Sequence, residues 1–285
     1  MRELTLTTAG APHSHCGETT RSRMRDMLLA LTPLAVAAAC FHGADWLLNL
    51  ISALVVSAAC QTLFNLPIGR RVGLQDCSFA VTGALCALLL PGQAPFWAAA
   101  MAAATAQLLR ALFGGLGRNF LNPALFGVCV VYACTLAGPG SMDALLDSPP
   151  VAAFSRFLGC VTHGPAIACS VLLVALGWVY LLCKNLAKPF FSLSLLAAMV
   201  LPQVMFTVPL TQTGLLGPAL AVALYCGSDS VTTPMFRRNQ VILGLILGGA
   251  VGALRFALGL DLSYLAILLA GPLARGLDAL AAWKS

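Results

Sequence analysis

Charge is what this 285-residue chain has least of: 9% of its residues are Asp, Glu, Lys or Arg, against about 25% in an ordinary soluble domain. That shortage excludes a soluble globular fold, which at this length would lack the charge to cover its surface. CxxC spacing is absent among the 11 cysteines. Most of them lie in apolar runs, at Cys40, Cys60, Cys86, Cys129, Cys134, Cys169 and Cys226, where a thiol behaves as a small apolar side chain. Neither a disulfide framework nor a metal cluster built from this chain alone is expected, although a cluster shared with a partner stays open. The segment Pro12 to Cys16, PHSHC, reads as part of a mobile cytoplasmic tail rather than a metal site. A cleavable signal peptide is not expected either. The first 24 residues are polar, and the apolar run that follows is too long for a signal h-region.

Hydrophobic residues, by contrast, make up 59% of the chain. They fall into ten runs of about the length a membrane helix needs, near 24–44, 46–66, 77–90, 95–113, 122–138, 165–183, 189–207, 212–227, 240–258 and 262–281. The expected fold class is an all-α, polytopic membrane protein with about ten transmembrane helices. Basic residues support that number. With the N-terminus cytoplasmic, 14 of the 16 lysines and arginines fall on the cytoplasmic side, and only Arg156 and Arg255 fall outside. This alternation fits the positive-inside rule, and nine or eleven spans would scramble it. The net charge of +6 therefore reflects orientation and contact with anionic lipid, not nucleic-acid binding. The resulting organisation is a cytoplasmic tail (1–23), a first five-helix half (24–138), a short extracytoplasmic loop (139–164) and a second five-helix half (165–285). Both termini are expected in the cytoplasm, and the protein in the cell (inner) membrane.

Two runs are shorter than a spanning helix should be, Cys77–Leu90 and Gln212–Gly227. Each is the third of its half, and each carries a Thr-Gly pair, Thr82-Gly83 and Thr213-Gly214. With five spans per half the halves would be related by an inverted repeat, and short Gly-interrupted segments in matching positions point to a central binding site. Chance similarity in a chain this rich in Leu and Ala explains the pairs equally well. Asp76 opens the third span and Asp229 closes the eighth, the latter in YCGSDSVTTPMFRR with Thr232. An ionisable group at membrane depth normally has a function or a partner. Both acids are open to two readings, a cation pathway or cofactor contact, or else helix capping and pairing with Arg70, Arg71, Arg237 or Arg238. Between spans four and five the apolar chain is interrupted by GGLGRNFLNPALFG, residues 114–127. Its glycines allow a tight turn. Asn122 can cap span five and Pro123 suits its first turn. Arg118 and Asn119 are free to meet a ligand or partner.

That loop resembles the signature of the bacterial family comprising the D-type subunit of the Rnf electron-transport complex and the B-type subunit of the sodium-pumping NADH:quinone reductase. Three further segments resemble it in the family's order: ETTRSRMRDMLLALTP, DCSFAVTGALCALLLPGQAPFW and GSDSVTTPMFRRNQVILGLILGGAVGALR. In the last, Asp229-Ser230 stands where the family usually has Asp-Pro. The resemblance runs from about residue 12 to residue 281. The short N-terminal tail favours the Rnf type, while the wording of the signature loop leans toward the quinone reductase. It implies an integral subunit of a complex that passes electrons between ferredoxin or NADH and an acceptor and couples this to Na⁺ or H⁺ transport. Its partners would be other membrane and peripheral subunits. It also implies a flavin, FMN or riboflavin. The family carries FMN on a threonine that ends an Asp-x-x-Ser-Gly-Ala-Thr-like motif in the outer loop between spans five and six.

In one loop the chain departs from the family it resembles. The matching loop reads MDALLDSPPVAAF. Asp143 matches the acid, but Pro149 stands in place of the threonine, and proline has no hydroxyl to esterify. Ser148 is one residue early, which on an extended strand points it to the other face. Covalent FMN is therefore not expected, with Ser148 the weak substitute. A flavin held noncovalently within the bundle remains, as do two readings without it, a channel or transporter with no redox chemistry and a scaffolding subunit. Whether the chain is itself catalytic stays open.

Overall fold

The computed structural model describes residues 19–65, 76–115, 117–135, 165–205, 218–229, 231–258 and 262–283. Among these residues every regular element is helical. The only β-type pairing among the described residues is an isolated antiparallel bridge between Pro91 and Pro165. In chain order the helices are α1 (Thr20–Asn65), α2 (Ser78–Leu89), α3 (Phe96–Leu112), α4 (Pro123–Thr135), α5 (Val171–Cys183), α6 (Pro189–Met205), α7 (Pro218–Ala221), α8 (Arg237–Leu258) and α9 (Ser263–Trp283). A 3₁₀ turn, Ala166–Cys169, leads into α5, and a π turn, Val222–Cys226, continues α7.

The expected first and second spans form one helical run of 46 residues, α1, broken at Gly43. There the backbone has φ 69° and ψ −145°, a region open almost only to glycine. The kink leaves two arms, 20–42 and 44–65, each long enough for the roughly 20 residues that cross a bilayer. Among the described residues α1 is the one helix with both the length and the uniform apolarity for a crossing. Pro33 lies inside the first arm, and the Thr32 hydroxyl donates to the Leu28 carbonyl beside it at 2.7 Å.

Large apolar side chains face outward along α1, at Leu29, Val36, Leu48, Ile51, Val55 and Leu63, and along α6 and α8, at Leu193, Leu201, Leu245 and Ile246. The interior combines large side chains, among them Trp46, Phe191, Tyr225 and Leu88 to Leu90, with a stripe of small ones. On α3, Ala98, Ala99, Ala102, Ala103 and Ala106 are buried, which lets α1, α2 and α4 close on it. At Gly83 a Cβ would stand 3.0 Å from the Ala53 carbonyl oxygen of α1, so α2 packs backbone to backbone there.

The two short elements, α2 and the α7–π segment, occupy the centre and are buried along almost their whole length. α2 has 12 residues, about 18 Å at 1.5 Å per residue, too short for a 30 Å hydrocarbon layer. Non-helical backbone then takes over, and it is paired rather than bare. The Ala166 amide donates to the Leu90 carbonyl, Tyr264 Oη to the Leu89 carbonyl, and Asn49 Nδ2 to the Ala94 carbonyl. Irregular backbone is tolerated at such depth only when enclosed by protein in this way.

At the other end of α2 the segments richest in basic residues meet. Arg275 of α9 donates to the Arg118 carbonyl and lies over the Phe120 ring. Lys188 Nζ reaches the Pro234 carbonyl, and Asp278 accepts from the Met235 amide at 2.7 Å and from Asn239 Nδ2 at 2.8 Å. We refer to this as the basic end.

Candidate functional site

A cavity of about 370 Å³ opens at the basic end. Its wall is contributed by the start of α1, the first turns of α2, the end of α3, the 117–124 segment, the end of α5 with the turn after it, and the Tyr225–Val231 segment. These are six pieces of chain, of which only the end of α3 and the 117–124 segment are close in sequence. Met24, Met27, Val81, Leu85 and Leu181 make it apolar on one side, while Ser78, Thr82, Arg110, Asn119, Ser228 and Asp229 bring polar groups to it.

Arg110 is the least expected of these. It continues the inward stripe of Ala99, Ala103 and Gln107 on α3 and is 6% exposed. Its Nη1 donates to Thr82 Oγ1 at 3.0 Å, to the Ser78 carbonyl at 3.4 Å and to Gln107 Oε1 at 3.5 Å. Gln107 is held in turn, its Nε2 donating to Ser57 Oγ at 2.6 Å, and Ser57 donates to the Phe79 carbonyl. The chain of bonds ties α1, α2 and α3 together beneath the cavity. Every hydrogen-bond partner of the guanidinium among the described residues is neutral.

The 114–127 loop reaches the same cavity. Asn122 Oδ1 accepts from the Ala124 and Leu125 amides at 3.1 and 3.3 Å, which caps α4, and Pro123 is its first residue. Asn119 is 5% exposed, lines the cavity, and its Oδ1 has no hydrogen-bond partner. An orphaned acceptor at this depth costs about 1–3 kcal/mol unless a ligand or water meets it. Arg118 is exposed and contributes its carbonyl to Arg275 rather than its side chain to the cavity.

Asp229 lines the cavity with Oδ1 accepting from the Val231 amide at 3.2 Å. It is only partly exposed, and burial pushes its carboxyl up from the usual range, against the Val231 amide, Lys188 and Arg110, which pull it down. Its neighbour Ser228 is pinned from three sides: Trp178 Nε1 donates to its hydroxyl at 2.9 Å, Ser192 Oγ lies 2.9 Å from that hydroxyl, and the Lys188 amide donates to its carbonyl.

Of the residues singled out in the sequence, Thr82, Asp229, Asn119, Asn122 and Pro123 converge on this cavity. Asp76 does not: it is exposed, and the N-cap of α2 is Cys77, which makes no side-chain cap bond. Gly83 serves helix packing, and Thr232 is buried outside the lining. Thr213, Gly214, Ser148 and Pro149 lie outside the described residues. Arg110, Ser78, Tyr225 and Ser228 were not anticipated; for Arg110 the readable signal was its helical spacing from Ala99, Ala103 and Gln107.

Apolar outward faces and a mostly apolar cavity with a few fixed polar groups at one end fit a helical membrane protein with an internal site. The particular kind follows from its relatives. The sequence matches the NQR2, RnfD, RnfE family over residues 7–283, and the chain belongs to that family. It is 26% identical over 280 residues to the D-type subunit of the Na(+)-translocating ferredoxin:NAD(+) oxidoreductase complex of Acetobacterium woodii, covering 87% of this chain and 84% of that one. The D-type subunit of the ion-translocating oxidoreductase complex of Alcanivorax borkumensis is 24% identical over 301 residues, covering 88% of each. A shorter match, 36% identical over 128 residues, joins 43% of this chain to 36% of the corresponding D-type protein of Sodalis glossinidius.

Proposed function

We propose that this chain is the D-type, multi-pass membrane subunit of an Rnf-like complex that couples electron transfer to Na⁺ or H⁺ transport, and that its cavity holds a flavin noncovalently. Its place would be the cell membrane, in about ten spans arranged as two inverted halves with both termini cytoplasmic. The clustering of Arg23, Arg118, Lys188 and Arg275 at one end of the bundle supports that orientation.

The single observation that carries the flavin reading is the donor set of the cavity. Ligand pockets of about 300–1,000 Å³ are mostly apolar with a few fixed polar groups, and this one has that character at about 370 Å³. Asn119 Oδ1 offers an unpartnered acceptor to an N–H, and Arg110 offers donors to a carbonyl. Met24, Met27, Val81 and Leu85 supply an apolar wall that keeps water from the ring. A flavin bound here would supply reversible electron transfer, while the protein contributes position and electrostatics. The covalent site of the family does not fit this chain, because Pro149 has no hydroxyl. Asp229 and Thr82 are the ion-pathway candidates that face the same space.

Ala187 lies in the turn before α6, lines the cavity and is only partly buried, so a large side chain there is placed to fill the space. Ala187→Trp is expected to remove one equivalent of acid-released flavin per purified complex while all subunits stay assembled. Unchanged flavin content would move the assignment to the channel or scaffolding readings.

A further inference from the structure

Arg110 carries more than a packing role. It is 6% exposed, lines the cavity, and makes all three of its described hydrogen bonds through Nη1 to neutral oxygens. Nη2 and Nε are left without a protein partner among the described residues. The cavity's carboxylate, Asp229, forms no ion pair with it among those residues, although the two act on each other electrostatically. Arg23, the other cation of the lining, is exposed and screened by solvent. A full positive charge is thus fixed in a low-dielectric wall, with its bonds arranged to orient it and none to neutralise it.

We infer that Arg110 sets the redox balance of the cavity's occupant, its unpaired edge favouring the more negative, reduced form over the oxidised one. This rests on the reading that the cavity holds a flavin. When the electrons delivered by a partner electron carrier outnumber the protons taken up with them, the occupant gains negative charge, and a fixed cation within a few ångströms stabilises that change. A neutral residue at 110 removes the stabilisation. Lysine keeps the charge while losing the planar guanidinium, so it separates electrostatics from shape.

The experiment is spectroelectrochemical titration of the noncovalent flavin in the purified complex, carried out for the native protein and for Arg110→Met, Arg110→Gln and Arg110→Lys. The two neutral variants are expected to weaken binding of the reduced form relative to the oxidised form at least about tenfold, a fall of about 30 mV for a two-electron couple. Arg110→Lys is expected to keep the native potential. Should the neutral variants release the flavin, Arg110→Lys decides: retention at the native potential supports the inference, and loss from that variant too overturns it. A native potential in Arg110→Met with the flavin still bound overturns this inference alone. A native complex with no flavin sensitive to Ala187→Trp overturns the flavin reading and this inference with it.

Discussion

Gly248→Ala is expected to destabilise the protein by about 3 kcal/mol, while the same change one residue along, Gly249→Ala, is expected to be neutral or to stabilise by up to about 1 kcal/mol. α8 presents Gly244, Gly248 and Gly252 to α6 at four-residue spacing. A Cβ on Gly248 would overlap the Leu195 carbonyl and also meet the Leu195 Cα at 2.9 Å, and one on Gly252 would stand 2.5 Å from the Met199 carbonyl oxygen. These obstacles are backbone atoms of a helix and cannot turn aside as a flexible side chain can. Close approach of this kind, through glycines four apart, is how helices associate where apolar burial offers no net drive. Gly249 has nothing within 4 Å, so a methyl there gains helix propensity without a clash. Thermal unfolding of both variants in one detergent checks the contrast, and equal midpoints would contradict the backbone contact between α6 and α8.

Asn122→Leu is expected to cost about 2–3 kcal/mol and to lower flavin retention together with stability. The substitution removes the cap of α4, worth about 0.5–2 kcal/mol, and leaves the Ala124 and Leu125 amides without an acceptor in a buried position. Asn122→Asp, which keeps an acceptor oxygen in place, is expected to recover most of the loss. The comparison of the two by thermal unfolding and by acid-released flavin separates capping from the change in side-chain size, since leucine is larger than asparagine and position 122 is buried. A Leu variant as stable as the native protein would show that the cap is dispensable.

Much of the helical framework is written in low-resolution features that survive averaging along the chain. Long apolar runs separated by basic loops mark where helices start and stop, and the short α2 is legible as a run that ends after Leu90. Capping by Asn122 followed by Pro123 is equally local, since cap and capped amides lie within three residues. Other features are not local. The expected break between the first two spans lay near residue 45, but the chain bends at Gly43, and a lone glycine in a Leu/Ala-rich helix carries no mark of whether it bends or packs. The cavity joins six segments, and no sequence spacing connects Arg110 and Asn119 with Asp229. Arg110 is also the kind of residue that misleads: at the end of an apolar run, a basic side chain reads first as an orientation signal, and only its register with Ala99, Ala103 and Gln107 shows that it points inward. The Gly244, Gly248, Gly252 spacing was present to be read, but glycines are frequent in such a chain, and the contact they make is settled by the neighbouring helix.

That this chain works with a flavin it does not hold covalently can be read from one gel. The chain is expressed with its partner subunits and a flavin transferase, the purified complex is denatured, and flavin fluorescence is measured in this chain's gel band and in the supernatant, for native protein and Ala187→Trp side by side. A dark band is expected in both, with one equivalent less flavin in the supernatant of the variant. A fluorescent band from this chain would mean that a hydroxyl such as that of Ser148 carries the flavin after all, and would contradict the noncovalent reading.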